Sequence, residues 1–112
     1  MPWVRDKRST DKIAPEDYET IRKRINAYAA MQPWGSRHQL QFRFRGQFCY
    51  VDNLEPDGST APLCRLRYCG DNLWSAGFYT YSQERYEPCI LPQGSFEGSL
   101  EEAFSVCEMY LT

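Results

Sequence analysis

One histidine, His38, is all the imidazole in this sequence, and that scarcity limits the chemistry open to the chain. Ser-His and Cys-His pairs and two-His metal sites would all depend on a single position. Its place beside a turn cluster at a strand start suits a surface or capping role. No Cys-x-x-Cys pair occurs among Cys49, Cys64, Cys69, Cys89 and Cys107. Their odd number and apolar neighbours read as reduced, buried thiols acting as small hydrophobes. A zinc site from Cys64, Cys69, Cys89 and His38 is not expected. Zinc draws ligands from close pairs on knuckle-like turns, and Cys64 and Cys69 stand five apart within a strand pattern. Glycine-rich phosphate loops, the G-x-S-x-G elbow and the H-E-x-x-H motif are missing. Glu84, Glu87, Glu101 and Glu102 lie near turns or a helix start, where solvation and capping account for them. The expectation is therefore no metal, no cofactor and no catalytic residue.

Long apolar runs are missing too. None approaches the roughly 20 residues that span a bilayer, and the opening Met1-Pro2-Trp3-Val4-Arg5-Asp6-Lys7-Arg8 lacks the apolar stretch of a signal peptide. A cytoplasmic protein without membrane contact is expected.

Apolar residues make up 42% and aromatics 15% of the 112 residues, enough for one domain with its own core. The net charge of −2 hides a division: residues 1–45 carry ten Lys or Arg against five Asp or Glu, and residues 46–112 carry three against ten. Such asymmetry marks a basic surface for an acidic partner or draws the two halves together.

Periodicity predicts an α+β fold: an antiparallel β-meander of about five strands with an N-terminal and a C-terminal helix. Residues 1–13 read as a flexible charged arm, and residues 15–32 as a helix. Pro15 suits the first turn, acidic residues follow it, and Tyr18, Ile21, Ile25, Tyr28 and Ala29 form one stripe. The meander occupies 39–91. Leu40, Phe42 and Phe44 alternate with Gln41, Arg43 and Arg45, the cleanest strand pattern in the chain. The hairpin register at Arg45-Gly46 is open. A two-residue turn there sets Phe48 and Tyr50 beside Arg43 and Gln41, and a three-residue turn sets them on the core face. Asn53 to Pro62 is dense in turn formers and reads as an exposed loop. Further strands follow in Leu63 to Cys69, Leu73 to Ser82 and Tyr86 to Leu91, the last confined to an edge by Pro88. Ser99-Leu100-Glu101-Glu102 is a capping box opening a helix over 99–111, with Leu100, Ala103, Phe104, Cys107, Tyr110 and Leu111 as its stripe. Residues 39–111 read as the compact unit, and residues 1–34 as a basic, partner-facing addition.

The arginines are the strongest functional lead. Arg43 with Arg45, and Arg65 with Arg67, each project from one face of a strand, and Tyr79 and Tyr81 alternate outward from another. If these faces coincide, they form a basic aromatic surface of the kind that binds single-stranded nucleic acid, phosphates on Arg and bases on rings. The competing description is the solvated back of a one-sided sheet. Trp74, Tyr79 and Tyr81 also suit a protein interface, since Tyr, Trp and Arg dominate hot spots. The leading expectation is a non-enzymatic binding module acting through a protein partner or as a homodimer. Nucleic acid binding through Arg43, Arg45, Arg65 and Arg67 is the alternative, and a small thiol-dependent or hydrolytic enzyme is a third reading.

Across Phe44 to Asp52, Leu63 to Tyr68, Phe78 to Ser82 and Gly98 to Phe104, the chain resembles a set of small uncharacterised bacterial proteins. That resemblance covers roughly residues 40–112. It implies a bacterial source and a β-meander closed by a helix, and it carries no functional residue.

Overall fold

In the computed structural model, residues 12–91, 94–108 and 111 are described. After a 3-10 turn at Pro15–Asp17 comes helix α1, Tyr18–Ala30, and a second 3-10 turn at Gly35–Arg37 leads into the sheet. The strands are β1 Gln39–Arg45, β2 Phe48–Leu54, β3 Thr60–Gly70, β4 Leu73–Thr80 and β5 Arg85–Cys89, followed by helix α2, Leu100–Ser105. Every neighbouring pair is antiparallel and the spatial order is the chain order, β1 to β5. This is the expected α+β meander between two helices.

Local chemistry sets the turns. Gly46, at φ 61°, is the first residue of a two-residue loop, Gly46-Gln47, because Arg45 pairs with Phe48. Glycine takes that positive φ without steric cost. The loop thus falls one residue beyond Arg45-Gly46. Phe48 lies opposite Arg45 and Tyr50 opposite Arg43, so both rings share the arginine face. Asp71 and Asn72 join β3 to β4 at φ 54° and 61°, a conformation that Asp and Asn tolerate better than most residues. Pro88 lies in β5, a true edge strand, where its missing N–H does least harm.

One face of the sheet carries the core. Cys49, Val51, Cys64, Leu66, Trp74 and Ala76 are buried there with Ile21, Ile25 and Ala29 of α1 and Leu100, Ala103 and Phe104 of α2. Residues 15–34 are therefore no addition to a separate unit. Trp34 is 1% exposed in the same cluster, and its Nε1 donates to Glu108 at 3.1 Å. Tyr28 donates to the other oxygen of Glu108 at 2.9 Å, and its ring meets Phe104 edge-on at 6.0 Å. His38 Nε2 lies 2.7 Å from the Leu111 carbonyl oxygen, tying the start of β1 to the segment that follows α2.

Both helices are shorter than periodicity predicts. Helix α1 begins as the Pro15–Asp17 3-10 turn and stops at Ala30 rather than at residue 32. Helix α2 has the predicted capping box, with Ser99 Oγ accepting from Glu102 N at 3.1 Å and Glu102 Oε1 accepting from Ser99 N at 2.9 Å. It ends at Ser105, not 111. Beyond it the bonds tighten to the three-residue spacing, Cys107 N to Phe104 O and Leu111 N to Glu108 O. That tighter path still buries Cys107 and Leu111. Tyr110 and nearly all of the 1–13 arm lie outside the described residues. The arm's last residue, Ile13, is buried, and its N–H donates to Gly46 O at 2.9 Å.

Candidate functional site

Antiparallel pairing puts directly opposite residues on one face, so the register decides whether the arginines meet. They do. Arg45, Phe48, Arg67 and Ser75 form one row across β1 to β4, and Arg43, Tyr50, Arg65, Gly77 and Pro88 form the next across all five strands. Tyr79 and Tyr86, paired across β4 and β5, continue the face beyond them. Neither helix packs on this side; the buried cluster lies on the other. The four arginines named from the sequence thus share one face, which neither helix covers among the described residues, with rings between them.

The rings form a connected series. Phe48 and Tyr50 have centroids 6.0 Å apart, Tyr50 and Tyr86 5.5 Å, Tyr86 and Tyr79 5.1 Å, and Tyr79 and Tyr81 4.9 Å. Arg65 lies over Phe48 at 4.4 Å and over Tyr86 at 5.2 Å, while Arg43 lies over Tyr50 at 4.8 Å. Both guanidinium groups are held against an aromatic quadrupole, which leaves their outer sides for a ligand. The face has two ends: guanidinium groups over β1 to β3, and tyrosine rings over β4 and β5.

Charge differs among the four. Arg43 donates from Nε and Nη2 to the two oxygens of Asp52 at 2.8 and 3.3 Å. Those hydrogen bonds hold the guanidinium above its ordinary pKa. Asp52 is buried where β2 shifts register against β3 between Val51 and Asp52. Burial first, then the Asp52 charge, pushes the Tyr86 hydroxyl up. Arg45 and Arg65 have no carboxylate within ion-pair reach among the described residues. Their positive charge is available to a partner.

Two shallow recesses flank the rings. One of about 160 Å³ is lined by Phe48, Arg65, Arg67, Ser75, Gly77 and Pro88, its floor lowered by the missing side chain at Gly77. The other, about 180 Å³, lies among Asn53, Ala61, Pro62, Leu63, Tyr79 and Tyr81. Tyr81, 59% exposed, is steadied by a 2.9 Å hydrogen bond to the Pro62 carbonyl.

Trp74 does not join the face. It is 4% exposed, on the core side against Tyr68 at 5.2 Å, so it packs rather than binds. Sequence reasoning missed Tyr86 and Asp52. Tyr86 stands two positions before Pro88 and so shares its face, but relating it to Tyr79 requires the four-residue loop between β4 and β5. An acidic residue ending the apolar run Phe48 to Val51 was the sign available for Asp52.

The thiols are set against nucleophilic use. Burial pushes Cys49 up to about 12 and raises Cys64, Cys69 and Cys89 as well, whereas an activated cysteine is one whose pKa is lowered. Among the described residues, no three His, Cys, Asp or Glu side chains are grouped to hold a metal ion, and no helix is long and apolar enough to cross a membrane. No family model, no curated protein and no solved structure matches the chain.

Proposed function

We propose that this chain is a non-enzymatic binding module of a bacterial cytoplasm, and that its uncovered sheet face takes single-stranded nucleic acid. One observation carries the reading: Arg43, Arg45, Arg65 and Arg67 share that face with Phe48, Tyr50, Tyr79, Tyr81 and Tyr86. A single strand presents alternating phosphates and flat bases. The guanidinium groups of Arg45 and Arg65 answer the first, and open tyrosine rings answer the second. A protein partner, the leading expectation from sequence, would seat an anchoring side chain in a pocket. The recesses here are small and shallow, which weighs against it. The free, mostly buried thiols suit a reducing compartment.

The test is fluorescence anisotropy with labelled single-stranded oligonucleotides across a salt series. Binding should weaken linearly on a log–log plot, and Arg45→Ala with Arg65→Ala should flatten that slope by about 0.7 for each phosphate no longer neutralised. Tyr79→Ala with Tyr81→Ala should weaken binding while leaving the slope unchanged. Binding that ignores the arginine pair, or no binding to any single strand, refutes the reading. Capture of polyglutamate in place of oligonucleotide would transfer the face to an acidic protein.

A further inference from the structure

The two edges of the sheet are unlike. β5 is five residues long and interrupted by Pro88, the usual means of blunting an edge. β1 runs seven residues, Gln39–Arg45, without proline, glycine or bulge, and pairs only with β2 among the described strands. Arg45 and Phe48 bracket the two-residue loop, so they form a hydrogen-bonded pair, and bonding toward β2 recurs at Arg43, Gln41 and Gln39. The Gln47 carbonyl accepting from Tyr68 N at 2.8 Å agrees with that phase. The N–H and C=O groups of Leu40, Phe42 and Phe44 therefore point away from the sheet. These three side chains are also only partly buried, whereas their core-face counterparts Cys49, Val51, Cys64 and Leu66 are fully so.

The segment Gln39-Leu40-Gln41-Phe42-Arg43-Phe44-Arg45 is symmetric in character about Phe42. We infer that β1 pairs antiparallel with β1 of a second copy, centred on Phe42, to give one continuous ten-stranded sheet. In that register Phe42 meets Phe42 of the second copy and Leu40 meets Phe44, so the outward backbone groups of these three residues find partners, while the Gly46 carbonyl keeps the Ile13 N–H. On the arginine face Gln41 meets Arg43 and Gln39 meets Arg45. No arginine opposes an arginine. Sliding by two residues toward the loop sets Arg43 against itself, and parallel pairing in register opposes both arginines to their own copies. Charge thus disfavours both of these, and sliding two residues the other way leaves Phe44 opposite a position outside the strand, so the centred antiparallel register remains. The same pairing makes the two open faces continuous, although it stands on the strand edge and does not depend on what the face binds.

Light scattering over a dilution series should show a monomer–dimer equilibrium, and hydrogen exchange at the Leu40, Phe42 and Phe44 amides should slow as concentration rises. Gln39 and Gln41 are exposed, so changes there leave the monomer's fold alone. Each change enters the dimer twice. Gln39→Glu should tighten dimerisation, and Gln39→Lys and Gln41→Arg should loosen it, by about two- to thirtyfold each. A monomer at every concentration overturns the inference. So does a dimer indifferent to all three variants, and so does a monomer whose three amides are already protected, since its own chain would then cover the edge.

Discussion

Arg24 of α1 and Glu101 of α2, 77 positions apart, are joined by two hydrogen bonds, Nε to Oε2 at 2.9 Å and Nη2 to Oε1 at 2.7 Å. This fork fixes the first helix to the last across the covered side of the sheet. The side-chain bond from Arg24 lowers the Glu101 pKa below its ordinary 4.5, outweighing the effect of burial. A carboxyl depressed in the folded state stabilises above its unfolded pKa and loses that contribution as pH falls through the folded value. Both groups are about a third or more exposed, so water screens the pair and its contribution is about 0.5–1 kcal/mol. Arg24→Ala should lower urea stability by that amount at neutral pH, and the difference from the parent should vanish as pH falls through the lowered Glu101 pKa. A gap that persists at low pH would assign the loss to packing of the arginine stem.

Arg43 and Arg45 differ by two positions in one strand and should respond differently to truncation. Asp52 is 5% exposed in its side chain and has Arg43 as its ion-pair partner among the described residues. Removing the guanidinium leaves a buried carboxylate without its two donors, at a cost of about 1–3 kcal/mol. Arg45 is exposed and answers no carboxylate among the described residues, so Arg45→Ala should change stability by less than about 0.5 kcal/mol. Thermal melts of the two variants check the contrast. Equal losses would show that Asp52 finds another partner. Arg43→Ala in the Asp52→Asn background should then cost less than it does alone.

Much of the sheet could be read from alternation, because each strand has one wet side and one dry side. Leu40, Phe42 and Phe44 declared β1 that way, and Pro88 declared its edge. The capping box at Ser99 was equally legible, since its two bonds span three residues. What sequence left open was whatever depends on one residue of loop length or on distant pairing. The turn at Gly46 could hold two residues or three, so the side taken by Phe48 and Tyr50 waited on the fold. The Arg24 and Glu101 fork and the meeting of Tyr28 and Trp34 on Glu108 leave no local trace. The end of α2 was misjudged because the apolar stripe runs on past Ser105 while the backbone tightens beneath it.

Tyr28 and Trp34 converge on the Glu108 carboxylate, which predicts an alkaline transition. Burial, and then the hydrogen bond to Glu108, push the Tyr28 hydroxyl from 10.0 to about 12. A phenol raised in the folded state contributes stability fully present below its unfolded pKa and lost as pH rises through the folded one. Stability should therefore decline between pH 10 and 12, with Tyr28 contributing a late component to phenolate absorbance beside that of Tyr86. Tyr28→Phe should diminish the late component and cost about 1 kcal/mol at neutral pH. A late component of unchanged size would assign it to tyrosines other than Tyr28.

Gly35 and Gly46 are both turn glycines, but an alanine should be received very differently at each. At Gly35 an added Cβ would sit 2.1 Å from the Ala29 carbonyl oxygen, an approach no side chain tolerates. That oxygen belongs to the last turn of α1, and it also accepts from Gln32 N. Relief requires the helix end to move away from Trp34, which is 1% exposed and bonded to Glu108. Overpacking against backbone costs about 1–3 kcal/mol and sometimes more, so Gly35→Ala should fall at or above the top of that range. At Gly46 an added Cβ would meet nothing within 4 Å, and only the φ of 61° resists, at about 1–2 kcal/mol. Denaturation midpoints should rank parent, Gly46→Ala, then Gly35→Ala, with indole fluorescence of Trp34 perturbed only in the last. Reversal of that order would mean that the packing of α1 on the Gly35 turn is loose enough to yield.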